Sequence, residues 1–214
     1  MAHLEGGQAP AAADPGAAID VYSRQREKSE AMRLRVCEAA VAQLAREGFH
    51  GTSIVKVARR GGLTQGALQH HYPTKDALIV ALADYLLVRS VKWISLARQQ
   101  LAVAPDAFAE VVRRSWREQF KSDDFAALLE ILVASRTDEN LRRRITPALH
   151  RWRDAVDAEL AALLPVTTRS AAELDAMLSI SRAMMTGLLI HDDLIKDDAH
   201  IDLVIDHWVR LAQR

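Results

Sequence analysis

The chain is predicted to be all-α: an N-terminal three-helix module built around a helix-turn-helix, then a larger C-terminal helical domain, about nine helices in total. Three observations carry this. Apolar residues recur at helical spacing along most of the 214 residues. Capping residues mark helix starts, among them Thr64 and the Ser170/Glu173 pair. No segment shows the two-residue alternation of a half-buried strand, and no repeat has a fixed period. Hydrophobic residues make up 50% of the chain, and the Ala and Leu content favours helix. The expected division is an extension over 1–27, the helix-turn-helix module over 28–88 and the larger domain over 89–214.

Residues 1 to about 23 are rich in Ala, Gly and Pro with few large apolar side chains, the composition of a disordered extension. A first helix is expected from about Lys28 to Glu47, with Met32, Val36, Ala40 and Leu44 on one stripe. Cys37 sits on a neighbouring stripe with Val41 and Leu44. With no second cysteine in the chain, a small core residue is favoured there over a redox sensor. Ile54, Val57 and Ala58 give the next, short helix one apolar face, and Gly61-Gly62 stops it. Thr64 caps the helix after that, with Leu63 and Leu68 at the positions of a hydrophobic staple, and Pro73 ends it. Leu68 and Tyr72 share its inward face, whereas Gly66, Gln69 and His70 lie roughly opposite with Ala67 alongside. Small residues there permit close approach, and amide and imidazole groups can pair with base edges. A long helix follows from Thr74 to about Gln100, with Leu78, Leu82, Tyr85 and Leu86 inward.

After Ala104-Pro105, Asp106 begins a helix to Lys121 through Phe108, Val112, Trp116 and Phe120. Ser122-Asp123-Asp124 opens the next, acids being favoured at a helix N-terminus. Thr137-Asp138 opens another, in which Pro147 is expected to force a kink or restart before Leu164-Pro165. Ser170 starts a helix to about His191, and Asp197-Asp198 a final one to about Gln213. These last two are unusually apolar. Leu174, Met177, Leu178, Met184 and Leu188 on the first, with Ile201, Ile205 and Trp208 on the second, suggest a two-fold four-helix interface between copies. Ala183 and Gly187 would let a helix approach closely.

The net charge of zero hides an asymmetry. Residues 24–80 hold ten Lys/Arg against five Asp/Glu, whereas residues 1–23 carry −3 and residues 81–214 carry −2. The resulting +5 sits on the helix-turn-helix module, where phosphates would have to be met. Arg24, Arg26 and Lys28 crowd its entrance. No apolar run approaches the roughly 18 residues of a membrane span, and the N-terminus lacks a signal-peptide layout, so no membrane partner is expected and a cytoplasmic location is. Metal-dependent hydrolysis could be proposed from His191-Asp192-Asp193, but no matching ligand motif accompanies it. His70 and His71 diverge by about 100° on a helix and cannot share one ion unaided. No catalytic residue, metal or cofactor is assigned.

The run GGLTQGALQHHYPTKDAL (61–78) resembles the DNA-binding domain of the TetR/AcrR family of transcriptional regulators, whose usual run is close to A-G-V-S-x-G-x-L-Y-x-H-F-x-S-K-x-x-L. Gly62, Thr64, Gly66, Leu68, His71, Tyr72, Thr74, Lys75 and Leu78 fit it. Gln69 departs from it, standing where the family usually has a phosphate-touching Tyr. The Gly48-Phe49 pair ending the first helix also fits, so the resemblance covers roughly residues 30 to 80. It implies that Thr52 and Lys75 contact phosphates of a double-stranded DNA operator, and that His71 either does so too or packs beside Tyr72; Thr64, Gln65, Ala67, Gln69 and His70 are placed to face the major groove. It also implies a homodimer formed through the last two helices. An internal pocket for a small hydrophobic effector is implied as well, beside the long helix. Candidate pocket residues are Trp93, Trp116, Arg117, Phe120, Trp152 and Met184, with Phe108, Phe125, Ser135, Arg182 and Met185 nearby in the pattern. The expected function is therefore a ligand-responsive repressor; the alternative is a DNA-binding regulator controlled by a partner rather than a small molecule.

Overall fold

Helix α1 (Pro15–Gly51) opens the computed structural model, which describes residues 15–163, 168–195 and 198–213. Of the extension expected over 1–27, residues 1–14 lie outside the described residues, as do the expected helix end at Leu164-Pro165 and the Asp197 start, whereas residues 15–27 are helical rather than disordered. α1 begins upstream of the Lys28 start expected from the pattern. Pro15 suits a first helical position, and no Gly or Pro interrupts the chain between Ala17 and Glu47. At Gly48 the backbone turns to φ 69°, ψ 179°, a region essentially restricted to glycine, and α1 kinks there.

Helices α2 (Ile54–Arg60) and α3 (Gln65–His71) lie across the end of α1, followed by α4 (Lys75–Val103), capped by the Thr74 hydroxyl. A 3-10 turn (Pro105–Ala107) leads into α5 (Phe108–Arg114). The single helix expected over 106–121 is thus divided, and its second half, Ser115–Phe120, is π-helical. The Lys121 N–H reaches back five residues to the Trp116 carbonyl at 3.1 Å. Then come α6 (Asp123–Thr137), α7 (Glu139–Leu163), α8 (Ala171–Ile195) and α9 (Asp198–Ala212). Nine α-helices and no strand occur among the described residues. α7 continues through Pro147 without the expected restart. Asp138 caps it, accepting from the Leu141 N–H at 2.9 Å, and Thr146 bonds to the Arg142 carbonyl in the turn where proline has no N–H to give.

Two apolar clusters hold the molecule. The larger runs without a break from α1 (Val36, Ala40, Leu44) through α2 and α3 (Val57, Leu68) and along α4 (Leu78, Leu82, Leu86) to α6 and α7 (Ile131, Leu141, Ile145). Each such fully buried side chain contributes about 1.5–3 kcal/mol. The small module and the first helices of the larger part therefore share one core. The second cluster joins α5, the π turn, α8 and α9 through Val112, Trp116, Phe120, Met185, Leu188, Ile201 and Ile205.

Candidate functional site

The α2–α3 turn is built from a sequence of local requirements. The Leu63 N–H bonds to the Ala58 carbonyl (2.8 Å) and the Gly62 N–H to the Arg59 carbonyl (3.2 Å), the two bonds of a Schellman motif. Gly62 takes the left-handed conformation this needs, at φ 61°. A Cβ there would also lie 2.8 Å from Nη2 of Arg35, which donates to the Gly62 carbonyl. Thr64 then caps α3 as expected, accepting from the Ala67 N–H at 3.2 Å. Leu68 is fully buried and Tyr72 half-buried. The opposite face is open: Thr64, Gln65, Gly66, Gln69, His70 and His71 are exposed and Ala67 is half-buried. The Gln65 amide reaches Gln69 Oε1 at 3.5 Å, and a Cβ on Gly66 would meet nothing within 4 Å. α3 thus presents a ridge of amides and imidazoles with a low spot for close approach of another molecule.

Two of the expected phosphate contacts are placed differently. Thr52 is 2% exposed, and its hydroxyl donates to the Gly48 carbonyl at 2.8 Å. Ser53, not Thr52, caps α2, accepting from the Lys56 N–H. The Thr52 side chain therefore serves the α1–α2 corner and has almost no surface to offer a phosphate. Lys75 turns inward: Nζ donates to the Phe49 carbonyl at 2.5 Å and lies 4.2 Å from the centre of the Phe49 ring. Burial lowers the ammonium pKa below its ordinary value. The Phe49 carbonyl, exposed by the kink at Gly48, supplies this internal partner, which residue spacing alone does not reveal. Lys56 and Arg60 are likewise engaged, pairing with Glu47. The hydrogen bond from Lys56 holds the Glu47 carboxyl below the usual range. Arg33, Arg46 and Arg59 are exposed and form no ion pair among the described residues.

The larger domain contains a cavity of about 580 Å³ between α4, α6, α7 and α8, bounded by Leu87, Ser90, Phe125, Leu128, Leu149, Trp152, Arg182 and others. A smaller one of about 160 Å³ lies towards α5 and includes Trp93, Phe108, Phe120 and Met185. Ile94, Gln119 and Leu178 border both. Of the candidate pocket residues, Trp93, Phe120 and Trp152 line these spaces, as do Phe108, Phe125, Arg182 and Met185. Trp116 is core, and Met184 packs against that same core cluster. Arg117 is exposed and paired with Glu110 at 3.0 Å, one position round the helix from the buried Trp116. Ser135 is buried, with its hydroxyl on the Leu132 carbonyl. Helical spacing missed Gln119, because the π turn adds a residue per turn and shifts every later side chain round the axis.

The residues expected at a dimer interface are mostly internal to one chain. Leu188, Ile201 and Ile205 are buried in the second cluster, with Met184 and Trp208 packed on it, and Trp208 Nε1 donates to Ser181 at 2.9 Å. Leu174, Met177 and Leu178 line the smaller cavity. The correction is one of face: α5 and the π turn cover the apolar side of α8 and α9 that the pattern left unpartnered. Among the residues exposed on α8, Ala176, Ile180, Ala183 and Ile190, with Gly187 open above its Cα, follow at alternating steps of four and three residues. On α9, Leu203 and Leu211 are exposed. No helix among the described residues is long and apolar enough to cross a membrane.

Residues 36–82 match the family described as bacterial regulatory proteins, tetR family. The HTH-type transcriptional regulator CymR of Pseudomonas putida is 24% identical over 189 residues, 88% of this chain and 93% of that one. A crystal structure of a TetR-family regulator from Mesorhizobium loti superposes with TM-score 0.67 at 14% identity, covering 86% of this chain and 96% of that one. The regulator FadR of Bacillus subtilis, crystallised with stearoyl-CoA, gives TM-score 0.60 at 14% identity over 84% and 96%. A capped, outward-facing α3 on a basic module, the family match over that module and the shared all-α fold agree: the chain belongs to the tetR family of transcriptional regulators and carries its helix-turn-helix DNA-binding domain.

Proposed function

We propose that the chain is a homodimeric, ligand-responsive repressor of a near-palindromic operator. The observation that carries this is α3, whose amide and imidazole face is exposed while its cap and staple fix it against α2. One helix of seven residues spans few base pairs, and two, related by a two-fold axis, would meet adjacent half-sites one DNA turn apart. Gln65 and Gln69 are the best placed to bond adenine in bidentate fashion, with Arg33, Arg46 and Arg59 as the cations available for phosphates. The open α8 stripe of small and apolar residues supports pairing of two copies through that helix.

Ligand control is supported by the 580 Å³ cavity, within the roughly 300–1,000 Å³ of small-molecule sites. Its wall includes α4, whose first residue already contacts Phe49 beside the DNA-binding module. A ligand that displaces α4 changes the separation of the two α3 helices and releases the operator. The function belongs to regulation rather than to an enzyme class. Gel shifts on the gene's own upstream region test the reading. Specific binding should fall steeply with salt, and its absence across neighbouring promoters would count against the proposal.

A further inference from the structure

The cavity wall is apolar except at a few points, and one of them carries a full charge. Arg182 on α8 borders the larger cavity, and its guanidinium carbon lies 4.9 Å from the centre of the Trp152 ring. Its one hydrogen bond among the described residues goes to Ser179 Oγ, at 3.5 Å, the limit of such a contact. It forms no ion pair there. Asp175, the acid that acts on it electrostatically, is committed to Arg153 at 2.8 Å. Burial, and then Arg153, push the guanidinium pKa below its ordinary value. A guanidinium offers five N–H donors around its edge, and stacking on an aromatic ring occupies the face while leaving that edge open. A charge left so uncompensated beside apolar walls is costly until an anion meets it.

We propose that this cavity binds an apolar monocarboxylic acid, its carboxylate paired with the edge of Arg182 and its hydrocarbon body against Phe125, Leu128, Leu132 and Leu149. The proposal rests on the reading of this domain as effector-responsive and names the class of effector. A carboxylate matches the guanidinium fork with two parallel hydrogen bonds, and a single charge suffices because among the described residues only one cation lines the larger cavity. Gln119, at the junction with the smaller cavity, has a side-chain amide without a partner among the described residues and gives a longer acid a second polar contact. Trp152 connects the site to α4, its Nε1 donating to Ser90 Oγ at 2.8 Å.

Calorimetric titration of the full-length protein with decanoate and 2-naphthoate, each beside its methyl ester, tests this. At least one acid should bind ten times or more tighter than its own ester. Arg182→Met should bring the acid-to-ester ratio to about one, and Arg182→Lys should retain part of it, with circular dichroism melting confirming that each variant folds. Equal binding of acids and esters overturns the proposal, as does binding of neither acid or an acid preference that survives Arg182→Met. Gel shifts with the same preparation keep the failures apart. Loss of operator binding bears on the regulator reading, whereas an intact shift with no acid preference sinks the carboxylate site alone.

Discussion

The backbone N–H of Phe49 donates to Oε2 of Glu130 at 2.8 Å, a bond that spans 81 residues and joins the kink of α1 to the middle of α6. The carbonyl of the same residue accepts from Lys75 at the start of α4. One residue at the base of the DNA-binding module is thus held from two of the helices that wall the larger cavity. Any shift of α6 relative to α4 must stretch one of these bonds, so the pair is positioned to pass a change in the cavity to the module.

Glu130→Ala should leave the Phe49 N–H without its partner in a partly buried corner. The expected cost is about 1–3 kcal/mol of stability, read from urea unfolding at neutral pH. Glu130→Gln, which keeps an acceptor oxygen, should recover most of it. Equal stabilities for the Ala variant and the parent would show that water replaces the carboxylate without penalty.

The inward pose of Lys75 reverses a simple expectation about salt. If Nζ stays on the Phe49 carbonyl in the DNA complex, Lys75→Met should lower stability yet leave the slope of log affinity against log salt unchanged. Arg59→Ala, at an exposed cation, should flatten that slope by about one unit. Fluorescence anisotropy with a labelled operator at several salt concentrations separates the two. A flattened slope for Lys75→Met would mean that the side chain swings out to a phosphate.

The helix-turn-helix was legible because its determinants are local. Thr64 as cap, Gly62 at positive φ and Leu68 as the buried staple partner each depend on neighbours within a few residues. The pocket was half legible: Trp93, Phe120 and Trp152 line it, but Trp116 and Arg117 fall elsewhere because the π turn resets the helical phase between 115 and 120. Least legible were the partners of long sequence separation. Nothing local tells that Phe49 will meet Glu130, or that α5 will cover Leu188 and Ile205. An apolar stripe specifies that a face is covered, not what covers it.

Gln65 offers the cleanest test of sequence readout. It is exposed, at the first position of α3, with its amide reaching only Gln69 at 3.5 Å. Gln65→Ala should relax preference at one base pair of each half-site by about 1–3 kcal/mol while weakening other sequences little. Selection from a randomised operator library reads this directly. A uniform loss across all sequences would assign the residue to the backbone instead.

Cys37 bears on stability against pH. Burial, and after it Glu38, raise the thiol from an ordinary value of 9.0 to about 11. A folded pKa above the unfolded one means the native state holds the proton more tightly. Its contribution is therefore complete below about pH 9 and is lost as pH rises towards 11. The parent should lose more stability than Cys37→Ala between pH 8.5 and about pH 10.5. Parallel curves for the two proteins would place the thiol in contact with water.

The exposed stripe of α8 provides the test of assembly. Ala176, Ile180, Ala183, Gly187 and Ile190 follow one another at four- and three-residue steps, so they lie on one line along the helix. Ile180 is 50% exposed, Ile190 51%, and the space above Gly187 is empty to 4 Å. Such a face lets a second α8 approach closely, with the isoleucines flanking a groove of small residues. Ala183→Arg puts a charge where two copies would touch near the two-fold axis, and so acts twice in each dimer. The fold should survive, because Ala183 is exposed within the chain. Sedimentation equilibrium should then report a monomer with an unchanged melting temperature, and operator affinity should fall to that of a single half-site. Leu188→Arg should behave differently, unfolding the second core cluster before it affects assembly. A dimer that persists in Ala183→Arg, with full operator affinity, would move the interface away from α8.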